Sequence, residues 1–307
     1  MISLLLLCKT MQFLCIMIAG YLTVKTHILR PEDSVVLSKI SLYILCPCMI
    51  FSVFQIELSQ SVISGLLMTL FLSILIHVML IIAGTFVKKV FHLEGAEEAA
   101  IIYSNAGNLV MPLVAGALGN EWVIYCSSFI VIQQILLWTH GVSLFSKNKK
   151  ICIRNMLCNV NVIAILICLI LLVLGWKLPV FVIETLDLLS GMLGPVTMLM
   201  AGMMIGAIPW KEFVKTKHIY LLVGLRLIVF PVLTVVLCRL LNTKEWMEQG
   251  ETLSLIVIIA AITSTGATIL QLALVNDQRK EEVSAVYILT NVGCMFTIPL
   301  ITYLYLH

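Results

Sequence analysis

Glu98–Gly119 reads EAAIIYSNAGNLVMPLVAGALG and Thr252–Val275 reads TLSLIVIIAAITSTGATILQLALV. Both are long enough to cross a bilayer, which takes about 20 apolar residues. Each is interrupted near its middle by small polar residues. The first break is Ser104-Asn105-Ala106-Gly107-Asn108, followed by Pro112; the second is Thr263-Ser264-Thr265-Gly266-Ala267-Thr268. Polar, helix-weakening residues at bilayer depth are costly unless they line a protein cavity. Two interrupted spans at corresponding places in the two halves of a chain mark the midplane site of a membrane carrier.

Composition agrees. The 307 residues are 61% hydrophobic and 11% charged, with a mean hydropathy of +1.10, more apolar than a soluble domain of this size. Lipid must serve as solvent for runs this long. The net charge of +3 is small, and the basic residues are scattered between apolar runs. No basic helix or aromatic platform points to nucleic acid. Most of the ten cysteines lie inside apolar runs and act as small hydrophobes. Cys46-Pro47-Cys48 has no accompanying cysteine or histidine pair, so packing outweighs a redox or metal reading. No cofactor or metal is expected. H-E-x-x-H, G-x-S-x-G and P-loop signatures are missing, and no enzyme is expected.

The apolar runs predict about ten spans: Ile2–Leu22, Ser34–Phe54, Ser61–Val87, Glu98–Gly119, Trp122–Phe145, Asn155–Trp176, Phe181–Ile208, His218–Leu241, Thr252–Val275 and Val283–Leu306. The N-terminus lacks a basic n-region and reads as a retained first span. Odd-numbered loops carry Lys25, Arg30, Lys88, Lys89, Lys147, Lys149, Lys150, Arg154, Lys211, Lys215, Lys217, Arg279 and Lys280. Even-numbered loops and their flanks carry only Lys177, Arg239 and Lys244. The positive-inside rule then makes the odd loops cytoplasmic and places both termini outside, in a multi-pass plasma-membrane protein.

The basic stretch Ser146–Arg154 divides the chain into a first repeat, 1–145, and a second, 155–307, with 146–154 as a cytoplasmic linker. Five spans is an odd number, so the second half must enter the membrane from the opposite side. Pro47 answers Pro195, His77 answers Arg226, and the two polar breaks answer each other. The expected fold is all-α: two inverted five-helix repeats with broken fourth and ninth helices.

Individual residues suggest roles. Pro112 cannot donate a backbone bond and clashes with the preceding turn. Asn105 and Asn108 offer amide donors and acceptors, and a half-helix N-terminus can hold a carboxylate. The alternative is a kinked helix with asparagines bridging neighbours. Thr263, Ser264, Thr265 and Thr268 surround Gly266, where unwinding is plausible, although such hydroxyls often bond back to their own helix. Arg226 keeps its charge and therefore needs backbone carbonyls, a carboxylate or a substrate anion. His77 titrates near neutral pH and is the candidate for proton coupling, against a structural hydrogen bond. Lys9 is expected to snorkel to the outer interface. No carboxylate sits at a span centre. Gly202-Met203-Met204-Ile205-Gly206 is a GxxxG pattern that packs helices with or without dimerisation.

The chain resembles the auxin efflux carrier family, which includes plant auxin exporters and bacterial malate-permease-like proteins. The resemblance rests on Ala19-Gly20-Tyr21-Leu22, Leu37-Ser38-Lys39-Ile40 and Pro47-Cys48-Met49-Ile50-Phe51. It continues through Asn105-Ala106-Gly107-Asn108-Leu109-Val110-Met111-Pro112, which is similar to the family's N-T-G-F-L-G-I-P crossover. Val162-Ile163-Ala164, Leu178-Pro179, Leu193-Gly194-Pro195, Arg226-Leu227-Ile228-Val229-Phe230-Pro231, Asn291 and Pro299 extend it towards the C-terminus. The short central loop is similar to that of the bacterial members. The resemblance implies ten spans in two inverted repeats, with the fourth and ninth helices crossing to hold an organic anion. It also implies spans three to five and eight to ten moving against spans one, two, six and seven. Asn108 replaces an apolar residue, and Thr263-Ser264 stands where the family usually places a proline.

Together these readings predict a secondary carrier for a small organic anion, probed by Asn105, Asn108, Pro112, Thr263, Ser264, Thr265, Thr268, Arg226 and Asn291. Coupling to protons or sodium and a homodimer remain open. A membrane-embedded sensor or receptor, or a channel, is the alternative.

Overall fold

The computed structural model describes residues 2–55, 59–145, 160–206 and 217–307. The 146–154 linker and the start of the sixth predicted span lie outside the described residues. Everything described is helix, turn or loop, apart from one isolated β-bridge. In chain order the helical segments are α1 (Ile2–Lys25), α2 (Pro31–Val53), α3 (Gln60–Phe91), α4 (Gly95–Ile102), α5 (Ala106–Ala117) and α6 (Asn120–Phe145). There follow α7 (Val160–Val173), α8 (Val180–Gly206), α9 (Lys217–Leu240), α10 (Gly250–Ile262), α11 (Ala267–Val275) and α12 (Lys280–Leu306). Seven of these are long and apolar enough to cross a membrane; α5, α7 and α10 are shorter apolar helices.

Burial separates the helices. Leu253 to Ile262 of α10 and Ala96 to Ile102 of α4 are buried at every position, so these two apolar half-helices form the centre of the bundle. In contrast, Val180–Gly191 of α8 buries no residue. Val78, Ile82 and Phe86 of α3, with Ile170 and Val173 of α7, stand exposed as a lipid-facing surface would require. Helices α1, α2, α7 and α8 pack on one another, α3–α6 and α9–α12 pack on one another, and α1 touches both sets through α5 and α12.

Three prolines shape the helices around them. Ser41–Leu45, Ala106–Val110 and Leu225–Val229 are wide π-turns, and each ends two residues before a proline: Pro47, Pro112 and Pro231. A proline removes one ladder hydrogen bond and pushes on the turn before it, and a π-turn accommodates both effects. One of these turns carries Asn108 and another carries Arg226.

The GxxxG pattern is used inside the chain. A Cβ on Gly202 would run into the Met17 carbonyl, and one on Gly20 into the Leu199 carbonyl. Gly206 faces Val24. The α1 and α8 backbones therefore touch directly, and these glycines offer no surface to a second copy. Gly202→Val should overpack this contact and cost about 1–3 kcal/mol, read as a lower melting temperature in detergent. Gly224→Ala, where a Cβ meets nothing within 4 Å, should leave stability equal or slightly higher.

The crossover as candidate functional site

Both interrupted segments are broken, the second without a proline. After Ile102 the chain turns extended at Tyr103 (ψ 124°), and after Ile262 at Thr263 (ψ 172°). The two extended pieces cross and pair. Ser104 faces Thr265 in an antiparallel bridge. The Asn105 N–H donates to the Ser264 carbonyl at 2.8 Å, and the Gly266 N–H donates to the Tyr103 carbonyl at 2.9 Å. A Cβ on Gly266 would sit 2.9 Å from the Ser104 carbonyl oxygen, so the closeness of this crossing requires glycine.

The outer edges of the bridge are satisfied by side chains. Gln133 of α6 mimics a neighbouring strand. Its Oε1 accepts from the Ser104 N–H (3.1 Å) and hydroxyl (2.6 Å), and its Nε2 donates to the Ser104 carbonyl (2.9 Å). On the other side the Thr265 N–H donates to Thr290 Oγ1 at 3.1 Å. Ser264 Oγ donates to Asn291 Oδ1 at 3.0 Å, and Asn291 Nδ2 donates to the Tyr287 carbonyl at 2.8 Å. Gln133, which the sequence reading passed over, carried one signal: two adjacent amides, Gln133-Gln134, within an apolar span.

Arg226 resolves the choice left open by its sequence. It is fully buried, and its guanidinium addresses the C-terminal ends of both half-helices. Nε donates to the Thr263 carbonyl at 3.1 Å. Nη1 reaches the carbonyls of Ile101 (3.1 Å) and Ile102 (3.3 Å), and Nη2 those of Ala261 (2.9 Å), Thr263 (2.6 Å) and Ser264 (3.5 Å). The partners are backbone carbonyls; among the described residues no carboxylate contacts it. Helix C-termini leave carbonyls unpaired and carry partial negative charge, so one cation caps two helices at once.

The opposite ends of the crossover are the N-termini of α5 and α11. Neither has a side-chain cap, so first-turn N–H groups remain for another acceptor. Gly107, Asn108, Ala267 and Thr268 are half-buried, and a Cβ on Gly107 would meet nothing within 4 Å. There is space at this end. Asn105 is buried, and its amide makes no hydrogen bond among the described residues; among them Asn108 Oδ1, also buried, has no partner.

The expected site residues thus divide. Asn105, Asn108 and Thr268 stand at the uncapped N-termini with side chains uncommitted among the described residues. Thr263 bonds back to Ala260, Thr265 Oγ1 donates to the Ala100 carbonyl at 2.9 Å, and Ser264 and Asn291 bond each other. These, with Arg226, hold the frame. Pro112 lies in the first turn of the helix that follows its π-turn. His77 is buried on α3: Nδ1 lies 2.7 Å from the Ser73 carbonyl, Nε2 has no partner among the described residues, and the ring packs 4.5 Å from Phe129.

Two buried carboxylates emerge at the base of α4. Glu97 Oε2 accepts from the Glu94 N–H at 2.8 Å, and Glu97 Oε1 lies 2.8 Å from His218 Nε2 on α9. Glu98 takes Lys88 Nζ at 2.7 Å and Thr85 at 3.0 Å, both from α3. Arg279, before α12, pairs with Glu94 at 2.6 Å and Glu282 at 2.8 Å, and these carboxylates hold its pKa above the ordinary arginine value. The cluster ties α3, α4, α9 and α12 together at one face.

A family profile described as Membrane transport protein matches residues 5–155 and again 147–302. The chain belongs to the membrane transport protein family. This is the family to which the auxin efflux carrier motifs of the sequence pointed. An uncharacterized transporter of Methanocaldococcus jannaschii is 27% identical over 246 residues, covering 75% of this chain and 78% of the relative. Membership and the apolar helices together make this a multi-pass integral membrane protein.

Proposed function

We propose that this membrane transport protein is a secondary carrier for a small organic anion, a carboxylate such as malate or a related compound. It works by alternating access. One observation carries the reading: two helix N-termini, uncapped and half-buried, meet beside uncommitted asparagine amides at a crossover whose other end is sealed by Arg226. Such N-termini are ready-made anion sites. Asn105, Asn108 and Thr268 contact the anion, while Thr263, Ser264, Thr265, Asn291 and Arg226 set the backbone that receives it. The reading of two inverted repeats, 1–145 and 155–307, is supported by the paired breaks. Helices α3–α6 and α9–α12 form the moving body and α1, α2, α7 and α8 the frame, in an elevator-like displacement. Asn105→Ala should remove transport from proteoliposomes while the protein still folds, and unchanged uptake would place the anion elsewhere. A sensor would bind the anion without time-dependent accumulation in proteoliposomes.

Orientation follows the lysine and arginine bias, with both termini outside the plasma membrane. A single cysteine at position 149, in a background without native cysteines, should resist a membrane-impermeant maleimide in intact cells and react after permeabilisation. Labelling in intact cells would reverse the orientation.

Coupling to protons or sodium, and assembly as a homodimer, are part of the same proposal. If protons drive accumulation, His77 is the coupling group. His77→Gln should then abolish uptake driven by a pH gradient while counterflow continues. Full gradient-driven accumulation by this variant would remove His77 from that role.

A further inference from the structure

A cavity of about 330 Å³ lies beside the crossover, between α1, α2, α8 and the α5–α6 connection. Its size is at the lower end of small-molecule sites. Lys9 and Gln12 enter it from α1, Asp187 from α8, Asn120 from the start of α6, and Pro112 and Gly116 from α5. Lys9 is half-buried. Its stem lies on Gly116, with Cδ 2.9 Å and Cε 3.0 Å from where a Cβ there would be. The missing side chain at Gly116 is thus what lets Lys9 lie against α5. Among the described residues its ammonium has no hydrogen bond or ion pair. Asp187 accepts a hydrogen bond from Ser52 and forms no ion pair with Lys9.

Half-buried Lys9 and exposed Asp187 thus line one cavity with opposite charges that are not paired to each other. We propose that this cavity is a second recognition site on the carrier's path, taking a small carboxylate that also bears a hydrogen-bond donor. Lys9 takes the carboxylate, with the Gln12 and Asn120 amides beside it. Asp187 accepts from the donor, a hydroxyl or an ammonium. The cavity lies between the proposed frame and the first crossover helix, so the inference rests on the carrier reading and narrows its substrate class. Bound anion would bridge α1 to α5 where Lys9 now rests on Gly116.

The test uses the purified full chain and three probes of one size: propionate, lactate and alanine. They share one carboxylate and differ at C2, which bears no donor, a hydroxyl or an ammonium. Binding is followed by thermal shift in detergent. Wild type should bind lactate or alanine roughly tenfold more tightly than propionate, the difference a charge-assisted hydrogen bond supplies. Preference for lactate assigns a hydroxy acid, and preference for alanine an amino acid. Asp187→Asn should erase the preference and leave propionate binding unchanged. Lys9→Gln should weaken all three probes, with Lys9→Arg restoring them. Equal binding of the three probes by wild type, or unaltered binding in both Asp187→Asn and Lys9→Gln, overturns the proposal. Binding lost in Asn105→Ala but untouched in the two cavity variants would leave the crossover reading standing and sink this one alone.

Discussion

Asn105→Ala should abolish organic-anion transport while the protein still folds. The asparagine is buried at the head of α5, and its amide has no internal hydrogen bond among the described residues. Removing it therefore deprives a bound carboxylate and little else. A hydrogen bond to a charged group is worth about 1.5–3 kcal/mol, which translates into roughly a 10–100-fold rise in KM or Kd. The backbone N–H of residue 105 still donates to Ser264 in the variant, so the pairing of the two broken helices persists. Expression and melting temperature should stay close to wild type. Unchanged transport kinetics in proteoliposomes would show that the anion is held elsewhere. Asn108→Phe, which installs an apolar residue as in the family crossover, should instead shift selectivity among anions.

Arg226→Met should have the largest effect on the fold. The methionine fills much of the volume but leaves the carbonyls of Ile101, Ile102, Ala261 and Thr263 without their donor. Taking one partner from a buried charge-assisted arrangement costs about 3–5 kcal/mol. In a protein of this size that corresponds to a melting temperature lower by on the order of 10 °C. Arg226→Lys keeps the charge but presents three donors from one point and cannot span both helix ends, so it should recover only part of the loss. A melting temperature within about 1 °C of wild type for Arg226→Met would mean that the carbonyls find other donors. Because the arginine acts on the frame, its variants should lose stability and binding together, whereas Asn105→Ala separates the two.

Much of this was legible in the sequence because the bilayer makes polarity conspicuous. The breaks at Ser104–Asn108 and Thr263–Thr268 stood out in apolar segments, and the structure opens both. Pro112 announced the first. The second needed only the Thr263–Gly266 run, because tertiary partners such as Thr290 and Arg226 satisfy the freed backbone groups. That compensation is invisible in a linear reading. The sequence limited Arg226 to three kinds of acceptor, and only the fold could bring helices α4 and α10 to it. Gln133 was missed for the same reason: its role depends on α6 lying beside Ser104. Lys9 rests on α5 because Gly116, more than a hundred positions along the chain, has no side chain, a contact that linear order does not show. Glu97 and Glu98 lie at the foot of a predicted span, where carboxylates ordinarily meet water, and their burial comes from partners on α3 and α9.

The capping of two helices by Arg226 also sets a charge balance. Each half-helix C-terminus carries about half a negative charge and each N-terminus about half a positive one. The arginine's single positive charge cancels the two C-termini. The N-termini of α5 and α11 are left with a surplus of about one positive unit, with no internal side-chain cap to absorb it. The crossover is therefore balanced by one net negative charge. A monoanion neutralises it alone, whereas a dianion brings one charge too many and should cross with a proton or another monovalent cation. The net charge moved per turnover would then be one negative unit for either cargo, and a voltage-clamped membrane would show equal charge per transported molecule for monoanions and dianions.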